Sequence, residues 1–363
     1  MNLYESPYEP EPARTRASKE FSRVGFSLLT LNIVLLIVAY AMQFALIFAY
    51  EGNYDALVAD WWWNWVLSLV PLYAVATPVM LLVLHGLPKA PHNDTYVKNG
   101  ETLEKSPFTV GKFFLLLVIA LGCMYIGSYI GQTVMAVLSM IANHDYESSL
   151  NSMVTESPVW MTFIGTVICA PIGEEFLFRK LLIDRTRRWG DLISILVSAL
   201  TFALFHGNLF QFFYAFFIGA ILAYIYTRTG KLRWCMAMHA AVNFFGSILI
   251  PWLTSFIPTE LLEGTTSLEN TTEIVGMLDY LKENALGLFI SLALTALVNA
   301  LMVAAVVLIA VFARRVQLSR GAYRLNVSES LSAALLNPGM IASLAVMCLT
   351  ILSNLITPLL TVG

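Results

Sequence analysis

Two adjacent carboxylates, Glu174 and Glu175, and Arg179 lie inside an otherwise apolar stretch of this chain, residues 158–183. A charged side chain at bilayer depth costs roughly 2.5–3.5 kcal/mol on insertion scales, so such groups persist where they pair, face a wet cavity or do chemistry. Glu175 and Arg179 are four apart, which puts them on one helix face within reach of an ion pair. Glu174 lies about 100° round the same helix and lacks that partner. It is left free to act as a base. A structural salt bridge alone accounts for Glu175 and Arg179 but not for Glu174.

Three further polar residues interrupt the apolar background between 158 and 254: His206, His239 and Asn243. His239 and Asn243 are four apart and share a helix face, while Gly207 and Asn208 directly after His206 break the helix there. These residue types support hydrolysis. A carboxylate with a histidine can hold a water, deprotonate it and pass the proton to a leaving amine. A second histidine and an asparagine can donate hydrogen bonds to the developing oxyanion. Taken singly, an intramembrane His or Asn more often hydrogen-bonds between helices than catalyses, and the aromatic residues of 202–217 read as packing and lipid contact. Coincidence of all of them on three spans is a far less economical reading. Pro171 and Gly173, just ahead of the carboxylates, should loosen the helix and free backbone carbonyls toward a cavity.

Glu174-Glu175-xxx-Arg179, Phe202-xxx-His206 and His239-xxx-Asn243, in that order, resemble the three motifs of the CAAX-protease and bacteriocin-processing (CPBP, or Abi) family of intramembrane proteases. The resemblance covers about residues 158–250. It implies an all-α membrane-embedded endopeptidase with Glu174 as base, His206 helping to hold the water, Glu175 and Arg179 as a supporting pair, and His239 and Asn243 on the oxyanion side. The implied partner is a peptide or protein substrate in the bilayer, prenylated or otherwise membrane-associated, and no nucleic acid. Family naming also suggests a metalloprotease. No HExxH pattern occurs, yet Glu174, Glu175, His206 and His239 are donors of the type that binds zinc. The charge of Arg179 beside Glu175 weighs toward a metal-independent mechanism, and zinc stays an open alternative.

The rest of the chain must hold these residues at membrane depth. The protein is 58% hydrophobic and 12% charged, with mean hydropathy +0.72, which excludes an ordinary soluble globule. Apolar runs near the roughly 20 residues needed to cross a bilayer fall at about 24–50, 62–85, 113–142, 158–183, 190–207, 209–227, 233–254, 286–313 and 331–360. The fold class expected is an all-α polytopic transmembrane bundle of about 8–9 spans. Most of the 21 Lys and Arg lie in 1–23, 86–112, 184–189, 228–233 and 314–330, whereas 51–61, 143–157 and 255–285 hold twelve acids and one base, Lys282. The positive-inside rule places the first set, with the N-terminus, in the cytoplasm. With no retention signal, the expectation is a multi-pass protein of a bacterial plasma membrane. At 1.5 Å per residue, Glu174 and Asn243 fall roughly 15 Å from the cytoplasmic ends of these runs, and His206 about 24 Å. Either the fifth run starts later than 190 or its helix is tilted and kinked, and the motif outweighs these boundaries.

Four blocks follow: a disordered, Pro-containing cytoplasmic tail at 1–22, N-terminal helices with a polar linker over 23–150, the motif-bearing core at 151–255, and an acidic outer loop with C-terminal helices over 256–363. A short helix is expected near 271–283. Cys123, Cys169, Cys235 and Cys348 lie singly in apolar runs, the pattern of core residues rather than a disulfide framework. Two other function classes fit part of the pattern: a non-catalytic binding or immunity protein, and a proton-coupled transporter, since intramembrane carboxylates and histidines also serve proton relays. Transporters usually carry two related halves with interrupted helices, and no internal repeat is visible here.

Overall fold

The computed structural model describes residues 11–52, 61–98, 101–146, 153–154, 156–258, 282–321 and 325–361. The chain is almost wholly helical. The helices are α1 (Ala13–Ala49), α2 (Trp62–Leu84), α3 (Val110–Ala142), α4 (Val159–Trp189), α5 (Asp191–Phe205), α6 (Leu209–Thr229), α7 (Leu232–Thr254), α8 (Ala285–Phe312), α9 (Val327–Leu335) and α10 (Pro338–Thr361). Among the described residues eight helical stretches are long and apolar enough to cross a membrane; α5, at 15 residues, and the short α9 are not among them. At 1.5 Å per residue α5 is about 22 Å long, short of the roughly 30 Å hydrocarbon core.

Local chemistry explains the boundaries. The Asn208 side chain caps the start of α6 by accepting from Gln211 N, and Gly207 and Gly230 take the left-handed backbone that the turns on either side of α6 require (φ +70° and +59°). Asn326 and Glu329 form a reciprocal capping box at α9. On α3, Gly127 lets the helix close on α6: a Cβ there would stand 2.5 Å from the Tyr214 backbone.

Among the described residues two large apolar clusters, with a third small one of Ile119, Cys123 and Ala305, form the interior. One of the large clusters joins α1, α2, α4, α5, α6, α9 and α10 through residues such as Phe21, Met80, Phe178 and Met347. The other joins α3, α4, α5, α6 and α7 through residues such as Met124, Ile183, Leu222 and Met238. α4, α5 and α6 each contribute to both clusters, through pairs such as Phe178 and Ile183, Val197 and Ile195, and Ala215 and Ile218, so the seam runs along these three helices. The segments that sequence reasoning grouped by positive charge do meet at one end of the bundle. Lys105 contacts Asp191 at 3.0 Å, Trp189 donates to Glu20 at 2.9 Å, Arg187 donates to Thr227 O, and Ser319 N donates to Asp191.

Three expectations change. From Ala13 on, the stretch expected to be a disordered tail is helical: α1 starts there and buries Ala17 and Phe21 against the first cluster. The linker is not featureless: Thr95–Lys98 (β1) and Glu101–Glu104 (β2) pair antiparallel. The run at 190–207 forms a helix too short to span by itself, joined to α6 as a hairpin. The helix expected near 271–283 lies outside the described residues. The depth mismatch also finds its cause, because α4 continues past 183 to Trp189. Glu174 is fifteen positions before Trp189, and His206 is fifteen positions beyond Asp191, so the two arms of the turn at Gly190 reach equally far.

In the loop end, Arg187 approaches His92 Nδ1 at 3.1 Å, and His92 Nε2 meets Asp94 at 2.9 Å. A guanidinium only donates, so Nδ1 must be the bare acceptor. Burial first, then the Arg187 charge, lower the His92 pKa against the pull of Asp94. A folded-state pKa below the unfolded value of about 6.5 means the unfolded chain takes up the proton first as pH falls. Stability should therefore drop as pH falls through that value. Thermal unfolding in detergent at pH 7.5 and 5.5 should show a larger acid loss for the wild type than for His92→Gln. Equal losses would remove His92 from the acid response.

Candidate active site

The fourth helix is not uniformly α-helical. Wider π-type winding covers Phe163–Cys169 and Phe176–Leu181, on either side of the α-helical turn Ala170–Glu175. In the first π segment the Ala170 N–H bonds to Gly165 O, five residues back. The next donor in that ladder would be residue 171, which is a proline without an N–H. Thr166 O is thereby freed, and the Asn243 amide of α7 donates to it at 2.8 Å. Gly173 has a separate role: a Cβ there would meet the Tyr73 ring of α2 at 2.1 Å.

Adjacent positions on this turn point the two carboxylates in different directions. Glu175 is fully buried. Its Oε2 lies 3.0 Å from Arg179 Nε, off the axis of an aligned hydrogen bond, and its Oε1 accepts from His239 Nδ1 at 2.9 Å. Arg179, also fully buried, donates to Ser198 Oγ at 2.9 Å, and its guanidinium sits 4.7 Å from the centre of the Phe202 ring. Ser198 passes the chain on by donating to Phe178 O. Glu174 retains 17% side-chain exposure and has no such anchor among the described residues; His239 Nε2 lies 3.8 Å from its Oε2, beyond hydrogen-bond reach.

A cavity of about 670 Å³ opens in front of Glu174, with His206, His239, Asn243, Phe202 and Tyr214 among its walls. The structure thus brings Glu174, His206, His239 and Asn243 to one space, and sets Glu175 and Arg179 behind it. His206 Nδ1 lies 2.8 Å from Phe202 O. A carbonyl only accepts, so Nδ1 carries the proton, and neutral His206 has a bare Nε2 able to accept from water. His239 is likewise fixed as an Nδ1–H donor to Glu175. Asn243, expected on the oxyanion side, uses at least one of its two N–H groups on Thr166 O, so its contribution to an oxyanion is smaller than the sequence suggested.

Ser198 and Thr166 escaped sequence reasoning, and Phe202 was noted only as a motif position in an aromatic-rich stretch. The signal for Ser198 was present: Ser198, Phe202 and His206 recur every fourth residue, on one face of α5. Phe202, 2% exposed, packs edge-on to the His206 and His239 rings as well as under Arg179. Tyr73 and Tyr214 also line the cavity.

Zinc does not suit this arrangement. Among the described residues no three His, Cys, Asp or Glu side chains converge as the ligands of an ion. Glu175, the most enclosed of the four candidate donors, already has both oxygens occupied by Arg179 and His239, and the guanidinium charge would oppose a dication there.

A buried charged cluster thus stands behind an acid and an imidazole that both face a cavity within a bundle of apolar helices, residue types able to hold and activate a water. Residues 156–245 match the family described as Type II CAAX prenyl endopeptidase Rce1-like. The match covers about a quarter of the chain, is consistent with the CPBP resemblance and supports a membrane peptidase of the CAAX-protease type in general. No curated protein and no solved structure matches the chain.

Removing the guanidinium should destabilise the protein. Arg179→Ala leaves Glu175 with only His239, and breaking a buried pair from one side typically costs about 3–5 kcal/mol. Arg179→Ala combined with Glu175→Gln should melt higher in detergent than Arg179→Ala alone while staying weakly active. A double variant that melts no higher would show that the two do not act as a pair.

Proposed function

We propose that the chain is an intramembrane endopeptidase in which Glu174 activates water for attack on a peptide bond of a membrane-associated substrate. The observation that carries this reading is the division of labour between neighbours: Glu175 is locked to Arg179 and His239, whereas Glu174 faces the cavity opposite the bare Nε2 of His206. Glu174 takes the proton of a water that also donates to His206 Nε2. The hydroxide attacks the substrate carbonyl, and Glu174 returns the proton to the leaving amine. The Asn243 N–H not used on Thr166 O donates to the oxyanion, and His239, held at Nδ1 by Glu175, faces the same cavity. Glu175 keeps that imidazole oriented, and Arg179 pairs with Glu175 from the other side. No step passes through a metal.

The largely apolar walls of the cavity, including Trp65, Leu72, Met124 and Ile218, suit a hydrophobic peptide segment or a prenyl-like group. The location proposed is a bacterial plasma membrane with the N-terminus and the β1–β2 hairpin in the cytoplasm, on the strength of the charge distribution.

Glu174→Gln keeps shape and size but removes the base. Peptidase turnover on a membrane peptide library should fall at least 100-fold, the scale of general-base catalysis, with the melting temperature nearly unchanged. Turnover close to wild type would end the assignment. Sidedness is checked separately in a cysteine-free background. Ser255→Cys should react with an impermeant maleimide added outside intact cells, and Lys231→Cys only after lysis; the reverse pattern would invert the topology.

A further inference from the structure

A second cavity, of about 710 Å³, lies between α3, α6 and the end of α8 and shares no lining residue with the one at Glu174. Its volume is in the range of small-molecule sites. Its depth is apolar, formed by Leu116, Ile119, Phe217, Ile221, Ile309 and Phe312. Its mouth faces the loop end of the bundle and carries Lys112, Arg228, Arg314 and Arg315, with no Asp or Glu in the lining.

These cations are not neutralised. Among the described residues none of the four has a carboxylate partner. Lys112 donates only to uncharged oxygens, Ser106 Oγ at 2.9 Å and Pro107 O at 2.6 Å. Arg315 lies over the Phe312 ring, 5.1 Å from its centre. Arg228 is the informative one. It is 7% exposed, its NH2 donates to Ser106 O, and its buried NH1 has no hydrogen-bond partner among the described residues. A buried charged donor left unmatched is costly, and at this place it marks where an anion belongs.

We propose that this cavity binds one anionic phospholipid, its phosphate held by Arg228, Lys112, Arg314 and Arg315 and an acyl chain lying in the slot between α3, α6 and α8. A free phosphate would satisfy the cations but leave the apolar slot empty, and a neutral lipid would fill the slot but leave the cations unmatched. Only an amphiphile with a negative head uses both. The mouth also stands at the right height: Arg314 and Arg315 directly follow the last apolar turn of α8, where headgroups meet a membrane helix. Bound there, the lipid ties the outlying α8 to α3 and α6. The neighbouring face of α6 carries Gln211 and Tyr214, which line the first cavity.

The test uses the full-length protein purified in an uncharged detergent, read by native mass spectrometry and thermal unfolding. Phosphatidylglycerol should give a one-to-one complex and a saturable rise in melting temperature. Phosphatidylcholine with the same acyl chains, and inorganic phosphate, should give neither. Each removed charge should weaken the complex roughly fivefold, the equivalent of about 1 kcal/mol per basic residue near the surface. Arg228→Gln addresses the buried contact. The exposed double variant Arg314→Gln/Arg315→Gln gives the same readout should the buried one fail to fold. Ala220→Phe narrows the slot while keeping every charge, and should also weaken the complex. Phosphatidylcholine binding as tightly as phosphatidylglycerol, inorganic phosphate alone reproducing the stabilisation, or charge variants that bind as well as the wild type would each overturn the proposal.

Discussion

The Glu175–Arg179 ion pair, with both side chains fully buried, is the constraint around which the site is organised. A pair of this kind is weak evidence for stability, since desolvating two ions offsets most of their attraction. Its value here lies in placement. Glu175 reaches one way to Arg179 and the other way to His239, so a single carboxylate sets both the state of the pair and the orientation of an imidazole at the cavity wall. Arg179 extends the same arrangement to α5 through Ser198 and Phe202. Three helices are thus fixed relative to one another by one charged cluster.

Backbone accounting supplies the remaining order. Within a bilayer an unsatisfied carbonyl costs several kcal/mol, so breaks in a helix survive only where something else bonds the freed group. At the tip of the α5–α6 hairpin, Asn354 of α10 donates to Gly207 O, and Asn208 donates to His206 O. At the end of α5, His206 itself bonds to Phe202 O. The imidazole that faces the cavity is therefore also part of a helix terminus, and its tautomer follows from that duty.

Much of this was legible in the sequence because it is written in strong local signals. Uninterrupted apolar runs give membrane helices almost without regard to tertiary context. The four-residue spacing of Glu175 and Arg179 gives their shared face, and the segregation of Lys and Arg gives the loops that gather at one end. What escaped depends on distance. The length of α4 beyond 183 was hidden because Asp184, Arg185, Arg187 and Arg188 look like a loop; all four remain helical, the first three buried and Arg188 half-buried, with partners such as Tyr226, Thr227 and Glu20. The first turns of α1 were hidden for a similar reason: charged residues interleave with Ala17 and Phe21, whose burial depends on helices far along the chain. Ser198 is an unremarkable residue until Arg179 arrives beside it.

The bond from Asn243 to Thr166 O has a further consequence. In most helices every interior carbonyl is served by the same helix, so two neighbours can slide past each other at little hydrogen-bonding cost. Here Pro171 has moved one such bond out of α4 and into its contact with α7. Any axial slip between the two helices pulls the Asn243 amide away from Thr166 O and breaks that bond. The proline thus acts as a detent that sets α4 and α7 at one register. Because Glu174 and Glu175 ride on one of these helices and His239 on the other, that register also fixes the distance between the carboxylates and the imidazole.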